Sequence, residues 1–279
     1  MKKISRRSFL AAAGLSVAAL ALTACGGSSS SVASSVASSA AASEAASTSA
    51  AAGELTTVEA GKLTMATNAA FPPYEMTTDA GEFEGIDIET AQAIADKLGL
   101  ELQIDDMDFD AALLSVQQGK ADIVMAGVTV TDERKAVMDF SDSYATGIQS
   151  IIVPEGSDIA SPDDLAGKKI GTQRGTTGYI YCSDDFGDEN VVAYDDGLTA
   201  VQALNNGQVD AVVIDNAPAQ EFVAANPGLV ILDTSYAEED YAIGMAKGSS
   251  LEDAVNAALK ELKADGTLQS IVDKYITAE

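Results

Sequence analysis

The chain has 279 residues and a formal net charge of −27, with 16 Lys and Arg residues against 43 Asp and Glu residues. This excess of acid argues against a nucleic-acid partner, because binding to phosphates needs a basic surface. The sequence contains no His, which excludes histidine triads, His-ligated zinc and imidazole acid–base chemistry. Two cysteines, Cys25 and Cys182, are too few for a thiolate metal site, so we expect neither metal nor cofactor.

The first 24 residues have the pattern of an export signal peptide. A basic start at residues 2–7 precedes an uncharged apolar run, residues 9–22, which is shorter than the about 20 residues that span a bilayer. The run 5–10 resembles a twin-arginine export motif, with a generic basic start as the alternative. Residues 22–25, Leu-Thr-Ala-Cys, resemble the bacterial lipoprotein box, which implies cleavage before Cys25 and lipid on its thiol. A plain secretory signal with a chance Cys is the alternative.

Residues 25–53 are expected to be the lipidated Cys25 followed by a flexible tether. Residues 28–52 are almost all Ser and Ala, and such a segment cannot bury enough apolar area to offset the entropy of ordering. A helix driven by Ala is the alternative. Without residues 1–24 the chain has 12 basic and 43 acidic residues, and a net charge of −31 suits a soluble body held off an anionic membrane.

From Lys62 onward, short apolar runs alternate with amphipathic stretches. The pattern predicts strands at 63–67, 100–104, 123–125, 169–172, 191–194, 209–214, 229–232 and 241–246. It predicts helices at 87–98, 110–118, 177–184, 198–205, 217–225, 251–264 and 268–275. This alternation is typical of an α/β fold with parallel sheets covered by helices on both faces. Segments 112–122 and 200–210 have similar sequences, each a predicted helix followed by Gly and a strand. This similarity favours two lobes of the same architecture, with chance recurrence as the alternative.

Residues just after the predicted strands are the candidates for ligand binding, because ligands of open α/β sheets bind beyond the carboxyl ends of the strands. After strand 123–125, Thr131 is a plausible helix N-cap and Arg134 lies three residues further on. Free N–H groups at a helix start and a planar guanidinium together favour a carboxylate or phosphate. The alternative for Arg134 is a surface ion pair with Glu133 or Asp139.

Three further candidates follow other strands. The run 173–178, Gln-Arg-Gly-Thr-Thr-Gly, predicts a second helix start whose free N–H groups could bind an anion. It lacks the Gly-Lys-Ser/Thr ending of a P-loop, so it predicts no nucleotide site. The alternative is that its glycines serve only strand-to-helix packing. Asp215 ends an apolar strand and either caps the next helix or accepts a ligand ammonium group. Phe71 and Phe109 are either core residues or the walls of a cleft. Anion donors, one carboxylate and apolar walls, without an evident acid–base pair, fit capture of a zwitterion better than catalysis.

Five sequence runs carry a resemblance to a known family. They are Phe71-Pro72-Pro73-Tyr74-Glu75, Gly85-Ile86-Asp87-Ile88-Glu89, residues 129–134 with Asp139-Phe140-Ser141, Gly175-Thr176-Thr177, and residues 209–215. In this order and spacing they resemble family 3 of the bacterial solute-binding proteins, the amino-acid-binding proteins that feed ABC importers. The resemblance covers about residues 61–276.

The resemblance implies how the backbone of an amino acid is bound. Arg134 grips the ligand carboxylate with two hydrogen bonds, helped by Thr129 and by the backbone N–H of Thr177. Asp215 holds the α-ammonium group together with the Gly127 carbonyl and the Thr129 hydroxyl.

The resemblance also assigns the ligand side chain. Phe71 and Phe109 stack on its two sides, Asn68 and Gln173 face its tip, and Thr176 belongs to the ligand-binding run before the helix. Relatives that bind lysine, arginine or histidine have an acid at the place of Asn68. The amide therefore favours a neutral polar side chain, while the neighbouring Arg174 leaves an acidic ligand open.

The fold that the resemblance implies is the two-lobed periplasmic-binding-protein fold of type II, in which each lobe is a mostly parallel sheet flanked by helices. The first lobe is expected at 54–152 plus 244–279 and the second at 156–240, with hinge crossings near Val153–Gly156 and Tyr241–Ile243. We expect a monomer, lipid-anchored outside the cytoplasm in a one- or two-membrane cell, that delivers an amino acid to the permease of an ABC importer. The alternatives are a sensor or adhesin lobe without transport, and a dehydratase-like enzyme with Glu75 as its one candidate general acid.

Overall fold

The structure is a computed structural model that describes residues 55–276, so the signal peptide, lipidation and tether predictions lie outside the described residues. Its strands are β1 (Lys62–Thr67), β2 (Ala70–Phe71), β3 (Glu75–Thr77), β4 (Phe83–Glu84), β5 (Glu101–Asp106), β6 (Ile123–Val124), β7 (Met138–Phe140), β8 (Ala145–Pro154), β9 (Ile170–Gln173), β10 (Val191–Tyr194), β11 (Ala211–Asp215), β12 (Leu229–Ile231), β13 (Ala237–Tyr241) and β14 (Gly244–Ala246). Its helices are α1 (Ile86–Leu98), α2 (Phe109–Gln117), α3 (Asp132–Val137), α4 (Thr177–Phe186), α5 (Gly197–Asn205), α6 (Asn216–Ala225), α7 (Glu252–Ala264) and α8 (Thr267–Tyr275).

Two sheets form the centres of two lobes. The first has the order β5-β1-β6-β14-β7, in which β1 runs parallel to β5 and β6, whereas β14 runs antiparallel to β6 and β7. The second has the order β10-β9-β11-β8-β12, with β13 also paired to β8, and β8 is antiparallel to all its partners. Each sheet is thus mixed, with parallel strands on one side only.

Alternate residues of each central strand face helices on opposite sides of the sheet. In β1, Met65 packs into the core shared with α1 and α7, while Ala66 packs with residues of α2. In β11, Val212 packs with residues of α5 and α6 on one face of the sheet, and Val213 packs with a residue of α4 on the other face. Both faces are therefore buried, which explains why these strands are continuous apolar runs in the sequence.

The strand β8 differs from the prediction. Residues 145–152 were expected in the first lobe, with a crossing near Val153–Gly156, but β8 pairs along its length with β11, β12 and β13 of the second sheet. An unbroken apolar run does not reveal which sheet it enters, so its pattern could not place the boundary. From here on, lobe 1 is residues 55–144 with 242–276, and lobe 2 is residues 145–241.

The two lobe crossings lie side by side. The first residue of β8, Ala145, pairs with the last residue of β13, Tyr241, and the Tyr144 N–H donates to the Tyr241 carbonyl at 2.9 Å. The predicted strand 241–246 is accordingly split, because the chain leaves lobe 2 after Tyr241 and enters the first sheet at Gly244. The small sheet of β2, β3 and β4 was not predicted. No helix among residues 55–276 has the length and apolar character needed to cross a membrane.

The helices α3 and α4 begin at the gap between the lobes, and a threonine caps the start of each. Thr131 caps α3 by accepting from the Arg134 backbone N–H at 3.2 Å, as the sequence predicts. Thr176 caps α4 in the same way by accepting from the Tyr179 N–H at 3.3 Å. The sequence pattern also predicts that Asp87 caps the helix at 87–98; this prediction is wrong, since Gly85 precedes α1 and the Asp87 side chain is buried.

Candidate functional site

A cavity between the two lobes gathers the residues that follow the strands. It is lined by Asn68, Phe71, Glu75, Phe109, Ala126, Gly127, Thr129, Arg134, Gln173, Thr176, Thr177 and Asp215. Every one of the ten predicted ligand-binding residues is in this set, and Glu75 and Ala126 complete it. The residues meet because the parallel strands β1, β6, β9 and β11 end toward the gap, where loops and helix starts are exposed to a ligand.

Arg134 is buried in the cavity wall, with 8% of its surface exposed. Its Nη1 donates to the Thr129 carbonyl at 2.8 Å and its Nη2 donates to the Gly175 carbonyl of lobe 2 at 3.1 Å. Its guanidinium carbon lies 5.4 Å from the centre of the Phe109 ring. Burial lowers the pKa of Arg134, and the nearby carboxylate of Glu239 opposes that shift.

The alternative of a surface ion pair for Arg134 is wrong. Asp139 instead pairs with Lys247, at 2.5 Å, outside the cavity. The guanidinium of Arg134 is therefore directed by burial and by carbonyl acceptors, and its remaining N–H donors are available to an anion in the cavity.

Asp215 supplies a buried carboxylate at the same cavity, 7% exposed. Its Oδ1 accepts from the Tyr241 hydroxyl and its Oδ2 accepts from Gln149 Nε2 at 2.7 Å. It precedes α6 but makes no side-chain cap, so the capping alternative is wrong. Burial raises the pKa of Asp215 to about 7, against the effect of these two donors.

The amides of Asn68 and Gln173 meet across the gap. Gln173 Nε2 in lobe 2 donates to Asn68 Oδ1 in lobe 1 at 2.8 Å, and Asn68 Nδ2 donates to the Met107 carbonyl at 3.0 Å. Gln173 Nε2 also donates to the Asp195 carbonyl at 3.4 Å, so both of its N–H groups are engaged and its Oε1 remains as an acceptor at this end of the cavity.

Aromatic walls and a glycine shape the middle of the cavity. Phe71 packs against Tyr74, with ring centres 6.0 Å apart. Gly127 has a positive φ of 54°, and a Cβ built on it would lie 2.9 Å from Phe71 Cε1. Only glycine therefore lets the backbone approach this ring without displacing it.

A carboxylate that the sequence did not single out lies behind the cavity wall. Glu239 Oε2 accepts from Thr177 Oγ1 at 2.9 Å, from Gln149 Nε2 at 3.0 Å and from Thr129 Oγ1 at 3.1 Å. Glu239 is 7% exposed and lies on β13, whose acidic sequence resembles a solvated edge strand. The available signal was alternation, because Glu239 shares a face with the fully buried Tyr241.

A second pair of acids supports the Gly127 loop. Glu75 is fully buried beside the carboxyl of Asp87, and neither of its oxygens meets a donor from another residue. Asp87 Oδ2 accepts from the Gly127 N–H at 3.0 Å and from the Tyr144 hydroxyl at 2.8 Å. Burial and the charge of Asp87 raise the pKa of Glu75 well above its usual range, and burial raises the pKa of Asp87 to about 6. Glu75 therefore carries the proton of the pair.

Cys182 is free and buried, and burial raises the pKa of its thiol to about 12. It is thus a small core residue rather than a nucleophile. In the part of the chain that the structure describes, no group of three or more Cys, Asp or Glu side chains is arranged to hold a metal ion.

Comparison with known proteins identifies the family. Residues 63–278 match the family model described as bacterial extracellular solute-binding proteins, family 3. The chain is 33% identical over 226 residues to the L-cystine-binding protein TcyJ of Escherichia coli K12, covering 79% of this chain and 85% of that protein. It is 34% identical over 228 residues to the arginine-binding extracellular protein ArtP of Bacillus subtilis, covering 78% of this chain and 87% of that protein.

A solved structure shows the same two-lobed fold. It is an ancestral arginine-binding protein bound to glutamine, 41% identical, with a TM-score of 0.75, covering 78% of this chain and 99% of that one. These proteins are binding proteins and not enzymes, so the dehydratase-like alternative is wrong. The family match and the fold lead to one conclusion: this chain is a member of family 3 of the bacterial extracellular solute-binding proteins.

Proposed function

We propose that the chain is the substrate-binding component of an ABC importer and captures an L-amino acid between its two lobes. The observation that carries the proposal is the presence of a buried guanidinium, Arg134, and a buried carboxylate, Asp215, in one cavity between the lobes. A zwitterion presents the complementary pair of charges. Contacts from both lobes to one ligand stabilise the closed arrangement of the lobes, which the permease then recognises.

The ligand carboxylate lies at Arg134 and at the start of α4. The guanidinium donates to it in a two-pronged geometry, and Thr176 and Thr177 stand where the helix has backbone N–H groups without intrahelical acceptors. The ammonium group lies at Asp215, within reach of the Gly127 carbonyl and the Thr129 hydroxyl.

The ligand side chain lies between Phe71 and Phe109 and ends at Asn68 and Gln173. Because both N–H groups of Gln173 are engaged with the protein, its Oε1 favours a side chain that ends in a hydrogen-bond donor. A neutral polar side chain such as that of glutamine meets this requirement, and the related ancestral protein is described as bound to glutamine.

A cationic side chain is the second candidate. Its support is the buried acid around the cavity, where Asp215 and Glu239 lie near the Arg134 guanidinium, and the arginine named for the relative ArtP. A neutral and a cationic ligand are distinguished directly by titration.

The test is calorimetric titration of the purified chain, freed of any co-purified ligand, with the twenty amino acids and cystine. Saturable binding of glutamine or another neutral polar amino acid, with no binding of arginine or lysine, supports the proposed specificity. Tight binding of arginine alone replaces it with the cationic candidate. No heat from any α-amino acid overturns the amino-acid function. Amino-acid binding without any loss of uptake in cells that lack this chain moves the function to a sensor or adhesin.

We further propose that the mature chain acts as a monomer, held by lipid on Cys25 at the outer face of the cell membrane or in the periplasm. The support is the lipoprotein-like run before Cys25 and the extracellular description of the family. Labelling of cells with a radioactive fatty acid tests it. Label in the wild-type chain and none in Cys25→Ala supports the anchor, whereas equal label in both refutes it.

A further inference from the structure

The hydrogen bonds around Glu239 connect two side chains that line the cavity. Oxygen Oε2 of Glu239 accepts from the hydroxyls of Thr129 in lobe 1 and Thr177 in lobe 2, at 3.1 and 2.9 Å. Gln149 donates from Nε2 to both Glu239 and Asp215, at 3.0 and 2.7 Å, and so links the two acids. Three donors thus converge on one oxygen of Glu239.

The direction of these bonds fixes what the two threonines offer to a ligand. A hydroxyl has one proton and two acceptor lone pairs. Because Thr129 and Thr177 both give their proton to Glu239, neither can donate into the cavity, and each presents only lone pairs there. Asp215 is also an acceptor. This end of the cavity therefore consists of acceptors, in contrast to the donors of Arg134.

We propose that Glu239 is a positioning residue for the α-ammonium group: by holding the protons of Thr129 and Thr177 behind the wall, it makes the cavity next to Asp215 a site of acceptors only. This inference rests on the proposed amino-acid function and adds a residue that does not line the cavity. A ligand ammonium group has three protons, and the arrangement supplies acceptors from both lobes, so the same bonds draw the lobes together.

Methionine at position 239 removes this acceptor at a similar side-chain length, whereas the amide oxygen of a glutamine would take the place of Oε2 and keep its three bonds. With methionine, the Thr129 and Thr177 hydroxyls have no carboxylate behind the wall, so at least one threonine turns its proton toward the cavity. An ammonium group then meets a donor, while a ligand without that group loses nothing. The change therefore acts on the preference for the ammonium group and not on binding in general.

The test compares a ligand with its analogue that lacks the ammonium group. The probes are L-glutamine and glutaramate, with L-arginine and 5-guanidinopentanoate as the second pair, titrated into the wild-type chain, Glu239→Met and Glu238→Met. Glu238 is the matched control, since it precedes Glu239 on β13 and its side chain is exposed. We expect Glu239→Met to lower the ratio of amino-acid to analogue affinity by about tenfold or more, the size of one unsatisfied buried polar group, and Glu238→Met to leave it unchanged.

The outcomes separate the inference from the function on which it rests. An unchanged ratio in Glu239→Met, including equal weakening of both probes, refutes the positioning role and leaves amino-acid binding intact. Failure of the wild-type chain to bind any of the twenty amino acids or cystine overturns the proposed function and this inference with it. If Glu239→Met does not fold, Thr177→Val removes one of the acceptors that Glu239 orients; a fall in the ratio supports the proposal, and an unchanged ratio refutes it.

Discussion

Replacement of Asp215 by Asn should make the ligand-free protein more stable at pH 8 while it abolishes amino-acid binding. The Asp215 carboxyl is 7% exposed and lies near the carboxylate of Glu239, so its ionised form is costly in the folded state. An amide of the same shape removes that charge. Gln149 Oε1, which is buried without a donor, can accept from the new amide nitrogen after the Gln149 amide turns over.

The expected magnitude follows from the pKa of Asp215. Burial raises this pKa from 3.8 to about 7, a shift of about 3 units, and each unit corresponds to about 1.4 kcal/mol. A group whose pKa is raised by folding stabilises the protein fully below pH 3.8 and loses that contribution as the pH rises through about 7. Ionisation of Asp215 thus lowers the free energy of unfolding of the wild type by about 4 kcal/mol between pH 4 and pH 8.

The assay is urea denaturation of wild type, Asp215→Asn and Asp233→Asn at pH 4, 6 and 8, followed by circular dichroism because the chain has no tryptophan. Asp233 is exposed and serves as the matched control. The difference in unfolding free energy between Asp215→Asn and wild type should grow by about 4 kcal/mol from pH 4 to pH 8, and by much less for Asp233→Asn. A difference that stays constant with pH would refute the argument, since Asp215 would then titrate normally.

Three further changes test other parts of the cavity. Arg134→Ala should weaken amino-acid binding by about 3–5 kcal/mol, because the ligand carboxylate loses its buried partner, and titration together with thermal unfolding separates this from loss of the fold. Gly175→Ala should also weaken binding, since the φ of Gly175 is +73° and a Cβ there would lie 1.6 Å from Asp110 Oδ1 across the gap. Adding Asp110→Ala should recover part of the affinity. If affinity is not recovered, the backbone strain at residue 175 causes the loss and the contact with Asp110 does not. The free energy of unfolding of Glu75→Gln at pH 8 should lie within about 1 kcal/mol of the wild-type value, because an amide can donate to Asp87 as the protonated acid does. If denaturation shows that this free energy falls by more than about 2 kcal/mol, Glu75 is ionised in the wild type.

The parts of the site that the sequence predicts are those fixed by local order. Asn68, Thr129, Gln173 and Asp215 all follow strands, and the ends of parallel strands share one edge of a sheet, so their convergence follows from the alternation of strands and helices. The cap of α3 by Thr131 is equally local, since the donor is three residues away.

The parts that the sequence does not predict depend on pairs distant in the chain. Glu239 meets Thr129 across 110 positions, and only the pairing of β13 with β8 brings it to the cavity. The Glu75–Asp87 pair looks like two surface acids until the fold encloses both side chains. In the same way, the apolar run of β8 fits either sheet, and the choice is made by the strands that reach it later.

The position of β14 has a consequence for the order in which the chain folds. Lobe 2 is one continuous segment, so all its strands are present once residue 241 has been made. In the first sheet, by contrast, β14 lies between β6 and β7 and comes more than 100 residues after them, so that sheet has a gap at its centre until Gly244–Ala246 arrive. Contacts between residues so distant in sequence form slowly. The lobe that begins first is therefore completed last, and a chain cut before residue 244 keeps every strand of lobe 2 but cannot join the two halves of the first sheet.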